Sequence, residues 1–108
     1  MLPENAIIEA TTESDANCLM KFLADNGVQW NGSRKLVGHN HWGVYGPLTC
    51  YRLRRASLTY GDKGYYQRFT DAKAFEGWCM ISADEFITRC TAEEREVELT
   101  AQNLEEIL

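Results

Sequence analysis

Arginines and tyrosines interleave between residues 51 and 68 in a pattern suited to an anion carried on a planar group. Arg52, Arg54, Arg55, Lys63 and Arg68 lie among Tyr51, Tyr60, Tyr65 and Tyr66. A guanidinium offers a planar fork of N–H donors to phosphate or carboxylate, and a tyrosine ring offers a stacking face. Arg52, Arg54, Tyr60, Tyr65 and Arg68 are therefore candidate residues for a pocket that sequesters a nucleotide signal. The same residues also suit a solvated strand face whose charges guard against edge-to-edge pairing. With a net charge of −5, direct nucleic-acid binding is not expected.

The negative charge is concentrated at one end. Residues 82–108 hold eight acids (Asp84, Glu85, Glu93, Glu94, Glu96, Glu98, Glu105, Glu106) against Arg89 and Arg95, a balance of −6 beside +1 for the rest. A fixed array of carboxylates attracts a basic partner, and salt weakens the attraction. Glu93, Glu94, Glu96 and Glu98 are the candidate contacts, facing another protein with a basic surface. Trp42, among Gly38, Gly43 and Gly46, is expected to be exposed and to act as an aromatic anchor. A solvated amphipathic helix accounts for the same acids without any partner.

Other chemistry finds little footing. His39-x-His41 would put two imidazoles on one strand face, with Cys50 as a third ligand, but nothing completes a zinc set. Exposed or hydrogen-bonded histidines are the expectation, and no metal or cofactor is expected. Cys18, Cys50, Cys79 and Cys90 form no Cys-x-x-Cys pair and read as reduced thiols, mostly buried as small hydrophobes. Neither a nucleophile signature nor a phosphate-cradling glycine loop is present, so catalysis is not expected.

The elements that would position these residues follow from local signals. Residues 5–10 suit a short strand. Thr12 to Asn26 suits a helix capped by Thr12 or Ser14, with Ala16, Leu19, Phe22 and Leu23 at helical spacing and Asn26-Gly27 as its stop. Val28 and Trp30 start a strand, followed by a glycine-rich irregular loop to Pro47. Residues 49–69 read as a hairpin that turns at Gly61-Asp62-Lys63-Gly64, its return strand carrying Tyr65, Gln67 and Phe69. Gly77 to Ile81 is a further strand. Ser82-x-x-Glu85 opens a helix with Ala83, Phe86, Ile87 and Cys90 on one stripe, and Thr91-x-x-Glu94 opens another with Val97, Ala101, Leu104 and Leu108.

The expected fold is a single α+β domain over 1–108. It has a small antiparallel sheet of three to four strands, one N-terminal helix and two C-terminal helices, the acidic segment spanning 82–108. No apolar run is long enough to cross a membrane and no secretory signal is evident, so a cytoplasmic protein is expected.

Three pieces of the chain, Phe22-Leu23-x-x-Asn26-Gly27-Val28-x-Trp30, Leu58-Thr59-Tyr60-Gly61-Asp62 and Ile81-Ser82-x-x-Glu85-Phe86-Ile87, resemble small accessory proteins encoded by bacteriophages. The resemblance covers roughly residues 16 to 90. It implies an anti-defence role of the anti-CRISPR kind: inhibition of a host defence or nucleic-acid-handling protein by binding, in the cytoplasm of an infected bacterium. It implies no site residues. The long loop between Trp30 and Tyr51 and the acidic end depart from the pattern.

Overall fold

The computed structural model describes residues 2–71 and 75–92. Five strands form one mixed sheet in the order β2-β4-β3-β1-β5. They are β1 (Asn5–Ala10), β2 (Gln29–Trp30), β3 (Thr49–Arg54), β4 (Ser57–Asp62) and β5 (Trp78–Ser82). β1 and β4 both pair antiparallel with β3, whereas β5 joins β1 and β2 joins β4 in parallel. The α+β class is as expected. The sheet is wider than the expected three to four strands and is mixed, because β2 and β5 add to its two sides in parallel.

The local helix signals act as read. In α1 (Glu13–Asp25), Thr12 accepts a hydrogen bond from the Asp15 N–H at 3.1 Å. At its other end Gly27 takes φ +83°, letting the Gly27 N–H reach the Ala24 carbonyl and the Val28 N–H reach that of Leu23. Ala16, Leu19, Met20 and Leu23 are buried. A later helix, α4 (83–92), starts after Ser82, whose hydroxyl accepts from the Glu85 N–H at 3.2 Å. The reciprocal arm of the capping box is not made, since Glu85 instead pairs with Arg89 at 2.7 Å. Thr91 lies inside α4, its hydroxyl bonded to the Ile87 carbonyl, rather than at the start of a separate helix. The remainder of the expected terminal helix lies outside the described residues.

Two cores sandwich the sheet. α1 and α4 cover one face, where Ile8, Leu19, Leu23, Tyr51, Leu53, Leu58 and Phe86 are buried together. On the other face a smaller cluster of Ile7, Cys50 and Tyr66 is extended by Phe69, Phe75 and Met80. That second core depends on the main departure from expectation. Residues 63–71 are a helix, α3 (Lys63–Asp71), not a return strand. Asp62 accepts from the Gly64 N–H at 2.9 Å, so the Gly-Asp-Lys-Gly run starts a helix. Tyr66 and Phe69, three apart on one helical face, then fold over Cys50 and Ile7.

The hairpin turns earlier, at Arg55-Ala56 between β3 and β4. Both residues have positive φ, +49° and +63°, the pattern of a type I′ turn without the glycine or asparagine that normally supplies it. Tertiary structure holds it in place: the Arg55 N–H donates to the Glu4 carbonyl at 2.9 Å, tying the turn to the start of the chain. The irregular stretch after β2 contains one helical turn, α2 (Trp42–Tyr45), and a 3-10 turn, Gly46–Leu48. Among the described residues no helix is long and apolar enough to cross a membrane.

Left-handed backbone costs an ordinary residue roughly 1–2 kcal/mol. Replacing Arg55-Ala56 by Asn-Gly keeps the main-chain bond to Glu4 and removes most of that strain. The double variant is expected to gain about 1 kcal/mol, read in a thermal melt as a midpoint several degrees higher.

Candidate functional site

β2 is only two residues long, so it covers β4 at Ser57 and Leu58 and no further. The Asn31 N–H bonds to the Leu58 carbonyl at 3.0 Å, and the chain then turns away through Ser33 to Arg34. Thr59 to Asp62 therefore form a sheet edge without a neighbouring strand among the described residues. Two clefts flank this edge, and Thr59 and Tyr60 belong to both.

The first cleft has a volume of about 470 Å³ and lies between β4 and α3. The alternation of β3 carries Arg52 to the face opposite Tyr51 and Leu53, beside Thr59, its partner in the β3–β4 register. There the guanidinium carbon lies 4.7 Å from the Phe69 ring centroid and 5.9 Å from that of Phe75. Its Nε is buried and has no hydrogen-bond partner among the described residues. The aromatic faces favour the cation but leave that buried donor unsatisfied, while the part of the side chain that lines the cleft brings positive charge to it. Tyr66, Tyr65, Tyr60 and Tyr45 form the remaining aromatic wall. Gly61 is required by the approach of Tyr66: a Cβ there would stand 2.9 Å from the ring. Asp62 lies at the helix end of the cleft, one carboxylate oxygen already engaged by the Gly64 N–H.

The second cleft, about 590 Å³, lies on the other side of the edge and is lined by Trp30, Arg34, His41 and Tyr60 among others. His41 stacks on Tyr60 with ring centroids 4.6 Å apart and planes within 6°, and Trp30 meets both rings edge-on. The loop is held there by aromatic donors. Trp30 Nε1 donates to the His39 carbonyl at 3.0 Å, Trp42 Nε1 to the Ala10 carbonyl at 3.0 Å, and the Tyr51 hydroxyl to the Asn40 carbonyl.

Of the expected ligand residues, Arg52, Tyr60 and Tyr65 come together in the first cleft. Arg54, exposed at the end of β3, and Arg68, exposed on α3, do not line it. Trp42 is half-buried against the larger core with its N–H bonded, so its indole is a structural tie and not the exposed residue expected. Glu93, Glu94, Glu96 and Glu98 lie outside the described residues. His39 and His41 are exposed, and among the described residues no group of three or more His, Cys, Asp or Glu side chains could hold a metal ion. The reading from sequence missed Tyr45, Arg34 and the His41–Tyr60 stack, which no local spacing announces. Cys50 and Cys90 are buried as expected, but Cys18 and Cys79 are exposed.

Burial pushes the Cys50 thiol up to about 12, with Glu9 adding to the effect and Lys63 opposing it. Burial likewise raises Tyr51 and Tyr66, the latter against the lowering influence of its Thr59 hydrogen bond and the Arg52 charge. Lys63 is raised by its hydrogen bond to Glu9. In each case the folded chain retains a proton that the unfolded chain releases, so stability falls as pH rises. Urea midpoints are expected to fall progressively above pH about 9, where an unfolded cysteine begins to ionise, with the tyrosines and Lys63 steepening the loss above about 10. A midpoint unchanged to pH 11 would show that Cys50, Tyr51 and Tyr66 are not buried as described. The chain matches no family model, no curated protein and no solved structure, so the chemistry of this edge rests on its own geometry.

Proposed function

We propose that this chain is a non-catalytic binding protein that attaches to another protein through the open edge of β4 and the apolar segment beside it. One observation carries the reading. The large hydrophobic side chains exposed among the described residues are Val37, Val44, Tyr45, Leu48, Tyr60 and Tyr65. All but Val37 belong to β4, to the start of α3, or to the 42–48 segment whose Tyr45 meets Tyr60 at 6.2 Å. Exposed aromatic and aliphatic side chains gathered beside a cation are the composition of a protein-binding surface. The likeness of three short pieces of the chain to phage accessory proteins favours, as partner, a bacterial host defence or nucleic-acid-handling protein, whose inhibition would follow from occlusion. The −6 balance of residues 82–108 supplies a second contact, through Glu93, Glu94, Glu96 and Glu98, for a partner that also carries basic surface.

A second reading, capture of a small anionic ligand such as a nucleotide, is favoured by the meeting of Arg52, Tyr60 and Tyr65 in a cleft of about 470 Å³. The first reading is preferred because the exposed apolar surface extends past the cleft to Val44 and Leu48, 58% and 55% exposed, which a small ligand would leave uncovered.

Tagged chain should retain a partner from a bacterial host lysate. The Tyr45→Ser/Tyr60→Ser variant is expected to recover at least tenfold less of it, with an unchanged circular dichroism spectrum. Loss only on reversing the charges of Glu93, Glu94, Glu96 and Glu98 would transfer the interface to the acidic segment. A nucleotide that raises the melting temperature of the wild-type chain, and not of an Arg52→Met variant, would establish the small-ligand reading instead.

A further inference from the structure

We propose that the partner docks as an extended segment that adds a strand to β4 at Tyr60–Asp62, placing an acidic side chain against Arg52. The proposal rests on the protein-binding reading above and specifies its mode. The backbone geometry points outward at this position. The Leu58 carbonyl bonds to the Asn31 N–H, so it is directed away from β3 and toward the β2 side. Main-chain groups two residues apart on a strand point the same way, which directs the N–H and C=O of Tyr60 to that side as well. Among the described residues β2 ends opposite Leu58, leaving these groups of Tyr60 open to an incoming strand.

The side chains of such a strand would alternate between the two clefts. Residues level with Thr59 and Gly61 would enter the Arg52 cleft, and those level with Tyr60 would meet Trp30 and His41. Charge and shape then select the occupant. Arg52 lines its cleft and brings a positive charge to it, so an acidic side chain complements it. The opposite cleft presents Trp30, His41 and Tyr60 with Arg34 beside them, so an aromatic side chain fits the alternate position. The occupant is therefore a short extended stretch alternating acidic and aromatic residues. Main-chain bonds to Tyr60 supply affinity, and the two clefts supply selectivity.

The test uses the full chain and fluorescently labelled eight-residue peptides that alternate Glu and Tyr. One control replaces every Glu by Lys, and a second methylates alternate backbone nitrogens to block pairing. Anisotropy is expected to show the Glu/Tyr peptide binding at least tenfold more tightly than either control. NMR is expected to show hydrogen exchange at the Tyr60 amide slowed at least tenfold. Arg52→Lys, which keeps a cation should Arg52→Met unfold the chain, is expected to weaken binding, because a single ammonium cannot reproduce the guanidinium fork. Equal binding of the methylated peptide, absence of binding by all three peptides, or an unprotected Tyr60 amide would overturn strand addition. If the Tyr45→Ser/Tyr60→Ser variant still loses its lysate partner in that event, protein binding stands and only its mode falls. Light scattering that shows a dimer in the absence of peptide would assign the edge to a second copy of this chain and also overturn the proposal.

Discussion

An arginine near the middle of a sheet face sets the terms for the rest of this structure. Strand alternation leaves Arg52 no choice of side, because Tyr51 and Leu53 are committed to the larger core. A guanidinium on the opposite face must be solvated, paired or stacked. Here it is stacked on Phe69 and Phe75, which keeps the charge close to apolar surface at a tolerable cost. The stacking depends on α3 folding back across β3 and β4, and that packing in turn depends on Gly61 admitting the Tyr66 ring. Cys50, Arg52 and the first cleft thus share one cause, a short helix lying where a return strand was expected.

The other cleft has a different origin. The chain from Asn31 to Leu48 makes little regular structure and is held instead by side-chain donors reaching backbone carbonyls. Trp30, Trp42 and Tyr51 each contribute an apolar body to the core and a single N–H or O–H to a carbonyl. Because these anchors are partly buried, each bond resists competition from water. Their effect is to hold His41 against Tyr60 and to leave Val44, Tyr45 and Leu48 facing outward. Trp42, expected to serve recognition directly, instead supports the loop that displays other residues.

Charge and shape are distributed unequally over the molecule. The exposed apolar side chains gather where an arginine lies in each flanking cleft, while the acids concentrate in residues 82–108. A single binding face need not use both regions. Long-range attraction between charges in water is screened within about 10 Å in ordinary salt, whereas contacts within a cleft are screened far less.

Local physics was legible in the residues. Thr12, Ser82 and Asn26-Gly27 mark helix ends because a cap is a contact between residues two to five apart. The stripe of Ala83, Phe86, Ile87 and Cys90 and the alternation of β3 and β4 were legible for the same reason, a period set by backbone geometry. The run from Tyr65 to Phe69 was not, since five residues of mixed polarity satisfy both periods. Contact with Cys50 and Ile7, remote in sequence, decided for helix. The turn at Arg55-Ala56 went against local preference because the Glu4 carbonyl, remote in sequence, binds it. The parallel pairings of β2 and β5, the uncovered edge of β4 and the convergence of Arg52 with Tyr45, Tyr60 and Tyr65 likewise required the tertiary structure. Each is a meeting of residues that no short-range rule relates, and each is settled by which surfaces bury one another.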